Sequence, residues 1–116
     1  MEKLYDKSLT ELHDLLVSKE ITAVDFTEET LNRIQDTEEQ LGSFITVSEE
    51  KAMALAKAID LKGITESNPL AGIPIGIKDN IVTKDILTTA GSKMLHNFDP
   101  IYDATVMDKV YQADMI

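Results

Sequence analysis

The stretch Gly72-Ile73-Pro74-Ile75-Gly76-Ile77-Lys78-Asp79-Asn80 decides how the rest of this sequence is interpreted. Its isoleucines occupy alternate positions, which is the pattern of a half-buried β-strand. The opposite face carries two glycines, a proline and then Lys78, so it is low and allows another backbone to lie close against it. We therefore predict a short strand that ends in a lysine.

Lys78 has two interpretations at the end of this strand. On spacing alone, the simpler one is a solvated charge, and Pro74 favours an edge position because it lacks an amide donor. A lysine covered by a packed neighbour would instead lose hydration, which disfavours its ammonium form and lets it act as a general base. The residues by themselves make Lys78 a candidate catalytic residue and no more.

The sequence around this strand resembles the amidase signature family. Leu70–Asn80 looks like the strand that carries the family's catalytic lysine, and Leu87–Leu95 and Pro100–Val106 extend the similarity. Within these segments, Ser92–Leu95 and Tyr102–Thr105 are similar to the branch that forms the glutaminase (A) subunits of tRNA-dependent amidotransferases. The resemblance covers essentially the whole chain.

The resemblance implies an α/β fold in which N-terminal helices and the first strands belong to a mixed β-sheet covered by helices. Members of the family are several times longer than 116 residues. We therefore interpret residues 1–116 as the N-terminal portion of an amidase domain, with an incomplete fold that is truncated before the nucleophile segment.

The same resemblance implies that Lys78 is the general base of a Ser-cisSer-Lys triad. A serine hydroxyl needs a base to take its proton, and in this family a neutral lysine does so through a bridging serine in a cis peptide. Both serines lie in a Gly/Ser-rich segment that this sequence lacks. Four serines of this sequence are candidate nucleophiles by residue type, and none lies in a turn of the kind that exposes one: Ser43, Ser48, Ser67 and Ser92. We expect the chain alone to be inactive.

The resemblance also implies partners. The A subunit would hydrolyse glutamine and pass ammonia to a B subunit, which uses ATP and magnesium to convert Glu-tRNA(Gln) to Gln-tRNA(Gln), while a small C subunit joins the two. In this chain we expect no cofactor or metal, because it has no cysteine and only two separated histidines, His13 and His96. A net charge of −10 places any tRNA contact on a partner protein of the complex.

Two other functions remain open on the sequence. One is another amide hydrolase of the same family, because the residues that choose its substrate would lie beyond Ile116. The other is a non-catalytic decoy that binds the partner subunits through the N-terminal helices. No apolar run approaches the length of a membrane span and the first residues do not form a signal peptide, so we expect a cytoplasmic location.

Three helices are predicted before the lysine strand. Ser8-Leu-Thr-Glu11 has the form of a capping box and predicts that a first helix starts there. A second helix should start after Thr22 and stop at Gly42. Ser48 should cap a third helix that runs to about Leu61.

The remaining predictions concern shorter segments. Phe44–Val47 is predicted to form a short strand, Gly91–Phe98 one or two helical turns, and Asp103 the N-cap of a final helix. Because one or two strands cannot bury both faces of a sheet, we expect the isolated chain to be marginally stable, partly molten, or associated through its apolar face.

Overall fold

The computed structural model describes residues 3–116. These form four α-helices, namely α1 (Leu9–Val17), α2 (Ala23–Leu41), α3 (Glu49–Lys62) and α4 (Thr105–Gln112), and two 3-10 turns at Leu4–Asp6 and Lys93–Leu95. The second of these turns confirms the helical turn predicted between Gly91 and Phe98. Helix α2 packs along α3. The connecting segment 63–104 contacts α2 at Gly72, which lies beside Ala23, and α3 at Lys84, whose carbonyl accepts from the Lys51 ammonium.

The two predicted strands are not confirmed in the part of the chain that the structure describes, which contains no β-strand. Among the described residues, the backbone of residues 72–78 makes long-range hydrogen bonds only to the end of the chain, the first of them from the Gly72 N–H to the Asp114 carbonyl (2.8 Å). Ile116 donates its N–H to the carbonyl of Ile73 (3.0 Å) and accepts from the N–H of Ile75 (2.8 Å), which is the pattern of one parallel bridge. A strand needs a partner along its length to satisfy its amides and carbonyls, and a single bridge does not supply one.

The first two helix starts are confirmed, because both are built from local chemistry. The Ser8 amide donates to the Glu11 carboxylate (2.8 Å) while the Glu11 amide donates to the Ser8 hydroxyl oxygen (3.3 Å). Thr22 and Asp25 form the same reciprocal pair at the start of α2. Gly42 then ends α2 in the left-handed conformation, with φ of 58°.

The other two cap predictions fail in part. Ser48 does precede α3, but its side chain makes no capping hydrogen bond. Asp103 is not the N-cap of α4; that position belongs to Ala104. The Asp103 carboxylate instead accepts from the Lys84 amide at 2.8 Å, so it ties α4 to a distant loop rather than to its own first turn.

Gly72 lies where two small apolar clusters meet. Leu12, Leu16, Phe26 and Ile73 form one cluster, and Ala23, Ala56 and Ile59 form the other. A Cβ atom added to Gly72 would lie 2.9 Å from Ile64 Cδ1 and 3.2 Å from Ala23 Cβ. The atoms that approach Gly72 belong to side chains and not to the neighbouring backbone predicted for the glycine face. The missing Cβ allows α1 and α2 to pack against the segment that leads to Lys78.

Candidate active site

Lys78 lies on the wall of an open cavity of about 430 Å³. Helices α2, α3 and α4 and the segments 74–79 and 86–88 enclose this cavity, and its volume falls in the range of small-molecule sites. Most of the wall is apolar, as shown by Leu31, Ile34, Leu55, Ile75, Met107 and Val110. The predicted catalytic lysine thus faces a mainly apolar space.

The desolvation predicted for Lys78 is not seen in the described residues. Lys78 is exposed, and its ammonium group makes no hydrogen bond or ion pair with any residue in the range 3–116. The interaction that fixes this residue is in the backbone, where the Ile81 N–H donates to the Lys78 carbonyl at 3.0 Å. The covering neighbour that the second interpretation of Lys78 requires is absent from residues 3–116, because the long-range backbone hydrogen bonds of residues 72–78 in this range reach only Asp114 and Ile116.

Asp79, the next residue, binds the turn at residues 89–91. The Thr89 amide donates to one carboxylate oxygen at 3.0 Å, and the Thr89 hydroxyl donates to the other. The Gly91 amide approaches that second oxygen at 3.4 Å. The backbone carbonyl of Asp79 also accepts from the Ala90 amide at 2.8 Å. The carboxylate and the main chain of one residue are therefore both held by a single turn, and we call this arrangement the Asp79 clamp.

The clamp stabilises the ionised form of Asp79. The hydrogen bond from the Thr89 hydroxyl is the main reason why the pKa of Asp79 lies below its ordinary value, and the Thr89 and Gly91 amides act in the same direction. Burial opposes them. Asp25 has a lowered pKa for the same reason, because it accepts from the hydroxyl and the amide of Thr22.

These lowered pKa values predict a dependence of stability on pH. The carboxyls of Asp79 and Asp25 bind protons less readily in the folded protein than in the unfolded chain. Their contribution to the free energy of unfolding is therefore complete above the unfolded pKa of about 4, and it is lost as the pH falls through the folded pKa. We expect the free energy of unfolding of the intact subunit to fall between about pH 5 and pH 2. In Asp79→Asn this fall should be smaller. Equal pH slopes in denaturant titrations of the two proteins would contradict the prediction.

The turn that the clamp binds is in an uncommon conformation. Ala90 has φ of 49° and Gly91 has φ of 67°, both in the left-handed region. A left-handed alanine costs about 1–2 kcal/mol relative to ordinary backbone. The hydrogen bonds that Asp79 accepts from the turn offset this cost.

The clamp could not be deduced from the sequence patterns. Asp79 and Thr89 are separated by ten residues, and neither belongs to a helix or strand with a recognisable period. The only sequence signal for this contact is the residue types themselves, because aspartate and threonine side chains commonly bind nearby backbone amides in turns.

The remaining candidate residues are placed away from one another. His13 lies on α1, and His96 is exposed after the second 3-10 turn, where its Nδ1 lies 2.9 Å from the Lys93 carbonyl. Ser92 starts that turn, because its hydroxyl oxygen accepts from the Met94 amide. Within residues 3–116, no group of three or more His, Cys, Asp or Glu side chains is arranged to hold a metal ion.

None of the helices in this range combines the length and apolar character that a membrane crossing needs.

Comparison with known proteins identifies a matching family and close relatives in sequence. The family model described as Amidase matches residues 25–116. The chain is 99% identical over all 116 residues to the A subunit of the glutamyl-tRNA(Gln) amidotransferase of Enterococcus faecalis, of which it covers 24%. It is 58% identical over 110 residues to the protein of the same name from Streptococcus mutans, of which it covers 22%. The chain thus spans about a quarter of the length of these relatives.

A solved structure has the same arrangement of these elements. It comes from a vestigial protein complex described as revealing the evolutionary origins of an s-triazine catabolic enzyme. The TM-score is 0.85 at 28% sequence identity, over 95% of this chain and 25% of that chain.

Proposed function

The chain belongs to the amidase family, and we propose that it is the N-terminal part of the glutaminase (A) subunit of a tRNA-dependent amidotransferase. The observation that carries the proposal is the 99% identity, over the whole chain, to a protein of that name. The second relative, at 58% identity, carries the same name and comes from a different genus.

In the proposed reaction the intact subunit hydrolyses glutamine to glutamate and ammonia. The ammonia passes to a B subunit that converts Glu-tRNA(Gln) to Gln-tRNA(Gln) in the cytoplasm, and a C subunit joins the two. ATP and magnesium act at the B subunit, so we assign no residue of this chain to them. The acidic character of the chain, with a net charge of −10, agrees with tRNA being bound elsewhere in the complex.

Lys78 is the residue of this chain that we assign to the chemistry. Its neutral amine would accept the proton of a serine hydroxyl through a second serine, as that hydroxyl oxygen attacks the amide carbon of glutamine. The proton then goes to the departing nitrogen, ammonia leaves, and water later hydrolyses the glutamyl ester to glutamate. Both serines belong to a segment outside residues 1–116, so the chain alone should be inactive.

The position of Lys78 supports this role in two ways. Its side chain has no competing partner among residues 3–116, and it borders a mainly apolar cavity that is open on one side. We propose that the remainder of the subunit closes the cavity and pairs with residues 72–78, which would turn that segment into the strand expected from its pattern. Enclosure by apolar walls would then remove water from the ammonium group and favour the neutral base.

The surface of the chain agrees with its being part of a larger domain. Its accessible surface is 7842 Å², whereas a folded monomer of this mass exposes about 6300 Å². Large apolar side chains are among the exposed ones, including Leu61 at 90% and Ile101 at 83%. Such surface is typically covered by another part of the protein.

A panel of amides tests the proposed function. The intact subunit in its complex should release ammonia from glutamine in preference to asparagine and aryl amides, and the isolated 116-residue chain should release none. Preference for an aryl or other small amide would instead favour the second function left open by the sequence, a general amide hydrolase. Turnover by the isolated chain would contradict the assignment of the nucleophile to another segment.

A further inference from the structure

We propose that Asp79 is a positioning residue for Lys78, because the Asp79 clamp fixes the backbone from which the lysine side chain extends. This inference rests on the proposed function of Lys78 as the general base. It assigns to Asp79 a role in catalysis that acts through its neighbour, without contact to glutamine or to the reacting atoms.

The direction of the lysine side chain depends on the backbone at its base. A lysine side chain is a flexible four-carbon stem, and that of Lys78 has no side-chain partner within residues 3–116. On one side, the bridge between Ile75 and Ile116 holds the chain. On the other side, the Asp79 clamp holds it.

The clamp restrains this backbone through several contacts at once. Four hydrogen bonds reach Asp79 from the turn at residues 89–91: three to its carboxylate and one to its carbonyl. Because its side chain and its carbonyl are both held, Asp79 is restrained in position and in orientation, and the preceding peptide is held by the Ile81 N–H, which donates to the Lys78 carbonyl at 3.0 Å. Thr89, the main donor, is 6% exposed, so the clamp is anchored in a buried residue.

The clamp also connects Lys78 to another part of the cavity wall. Leu87 and Thr88, which immediately precede the bound turn, line the same cavity as Lys78. The clamp therefore fixes the lysine backbone relative to this part of the wall. A base must lie within hydrogen-bonding distance of the proton it accepts, and a displacement of about 1 Å can cost about a hundredfold in rate.

Asp25 provides a matched control within the same chain. Its carboxylate accepts from the hydroxyl of Thr22 at 2.7 Å and from the Thr22 amide at 2.9 Å, so it repeats the chemistry of the clamp. It serves only the start of α2 and does not line the cavity. Loss of the charge at Asp25 should therefore affect stability and leave catalysis unchanged.

The test uses the intact subunit in its amidotransferase complex. We expect Asp79→Asn to lower kcat for glutamine hydrolysis by about 10- to 100-fold, with KM for glutamine changed less than about threefold. Ammonia-dependent amidation should stay at the wild-type rate. Asp25→Asn should retain the wild-type kcat although it loses a similar amount of stability. Thr89→Val, which removes the hydroxyl at nearly constant shape, should lower kcat in the same way. Thr89→Ser keeps a hydroxyl at this position and should have a kcat close to that of the wild type.

A Lys78→Ala background separates the failure of this inference from the failure of the proposed function. In that background Asp79→Asn should have no further effect on glutamine hydrolysis, because the positioned group is gone. If Lys78→Ala keeps its glutaminase activity, both the proposed function of Lys78 and this inference are overturned. If Lys78→Ala is inactive but Asp79→Asn keeps the wild-type kcat, only the positioning role is overturned. Equal losses of kcat in Asp79→Asn and Asp25→Asn would also overturn it.

Discussion

Replacement of Lys78 by alanine in the intact subunit should abolish glutamine hydrolysis while leaving ammonia-dependent amidation largely unchanged. In the proposed function the two reactions use different sites, and only the first would need a base to activate a serine. Loss of a general base typically costs about 10²- to 10⁴-fold in rate. The measurement is a pair of assays on one purified complex: glutamate release from glutamine, and Gln-tRNA(Gln) formation with ammonium as the nitrogen donor.

Two control variants sharpen this experiment. Lys78→Arg keeps a positive charge but does not give up its proton at working pH, so it should be as inactive as the alanine variant. Lys57→Ala removes an exposed lysine on α3 and should keep both activities. Retention of glutaminase activity by Lys78→Arg would show that the residue acts by charge and not as a base. Loss of both reactions in a folded Lys78→Ala complex would also contradict the proposed division of roles.

Gly72→Ala should cause the largest loss of stability that we expect from a single methyl group in this chain. Gly72 has φ of +76°, and the new Cβ would lie 2.9 Å from Ile64 Cδ1 and 3.2 Å from Ala23 Cβ. The left-handed backbone costs about 1–2 kcal/mol for a residue with a Cβ, and overpacking of a buried position adds about 1–3 kcal/mol. We expect a decrease of about 2–5 kcal/mol in the free energy of unfolding, measured by denaturant titration of the intact subunit.

Gly76→Ala is the matched control for this substitution. Gly76 belongs to the same segment, but its φ lies outside the left-handed region and the nearest atom to a new Cβ is Phe44 Cε1 at 3.9 Å. This variant should lie within about 1 kcal/mol of the wild type. Equal losses of stability in the two variants would mean that the close packing at Gly72 does not limit the fold.

The features predicted correctly from sequence are those that depend on neighbouring residues. The reciprocal pairs Ser8–Glu11 and Thr22–Asp25 start α1 and α2 because each side chain reaches an amide three residues away. Gly42 ends α2 because it adopts a left-handed conformation without a Cβ penalty. The prediction that Asp103 caps α4 failed, because the Asp103 carboxylate accepts from the distant Lys84 amide instead of from the first turn of the helix.

The strands and the clamp could not be predicted in the same way, because both depend on contacts between distant parts of a chain. Alternation of isoleucines in residues 73–77 indicates a strand only if a partner is present, and within residues 3–116 only Ile116 pairs with it. The strand pattern makes Lys78 only a candidate, and its role as a general base comes from the family resemblance. The contact between Asp79 and Thr89 joins residues ten positions apart in an irregular loop, so no local pattern indicates it.

Lys78 is proposed as the base for a serine nucleophile that lies outside residues 1–116. Detection of a glutamyl ester on that serine would be the most direct evidence for this role. The measurement is to trap the intact subunit with glutamine and locate the ester by peptide mass mapping, in wild type and in Lys78→Ala. We predict an ester on a serine outside residues 1–116 in the wild type, and no ester in the variant. An ester on a residue within 1–116, or one that forms at the wild-type rate in Lys78→Ala, would contradict this role.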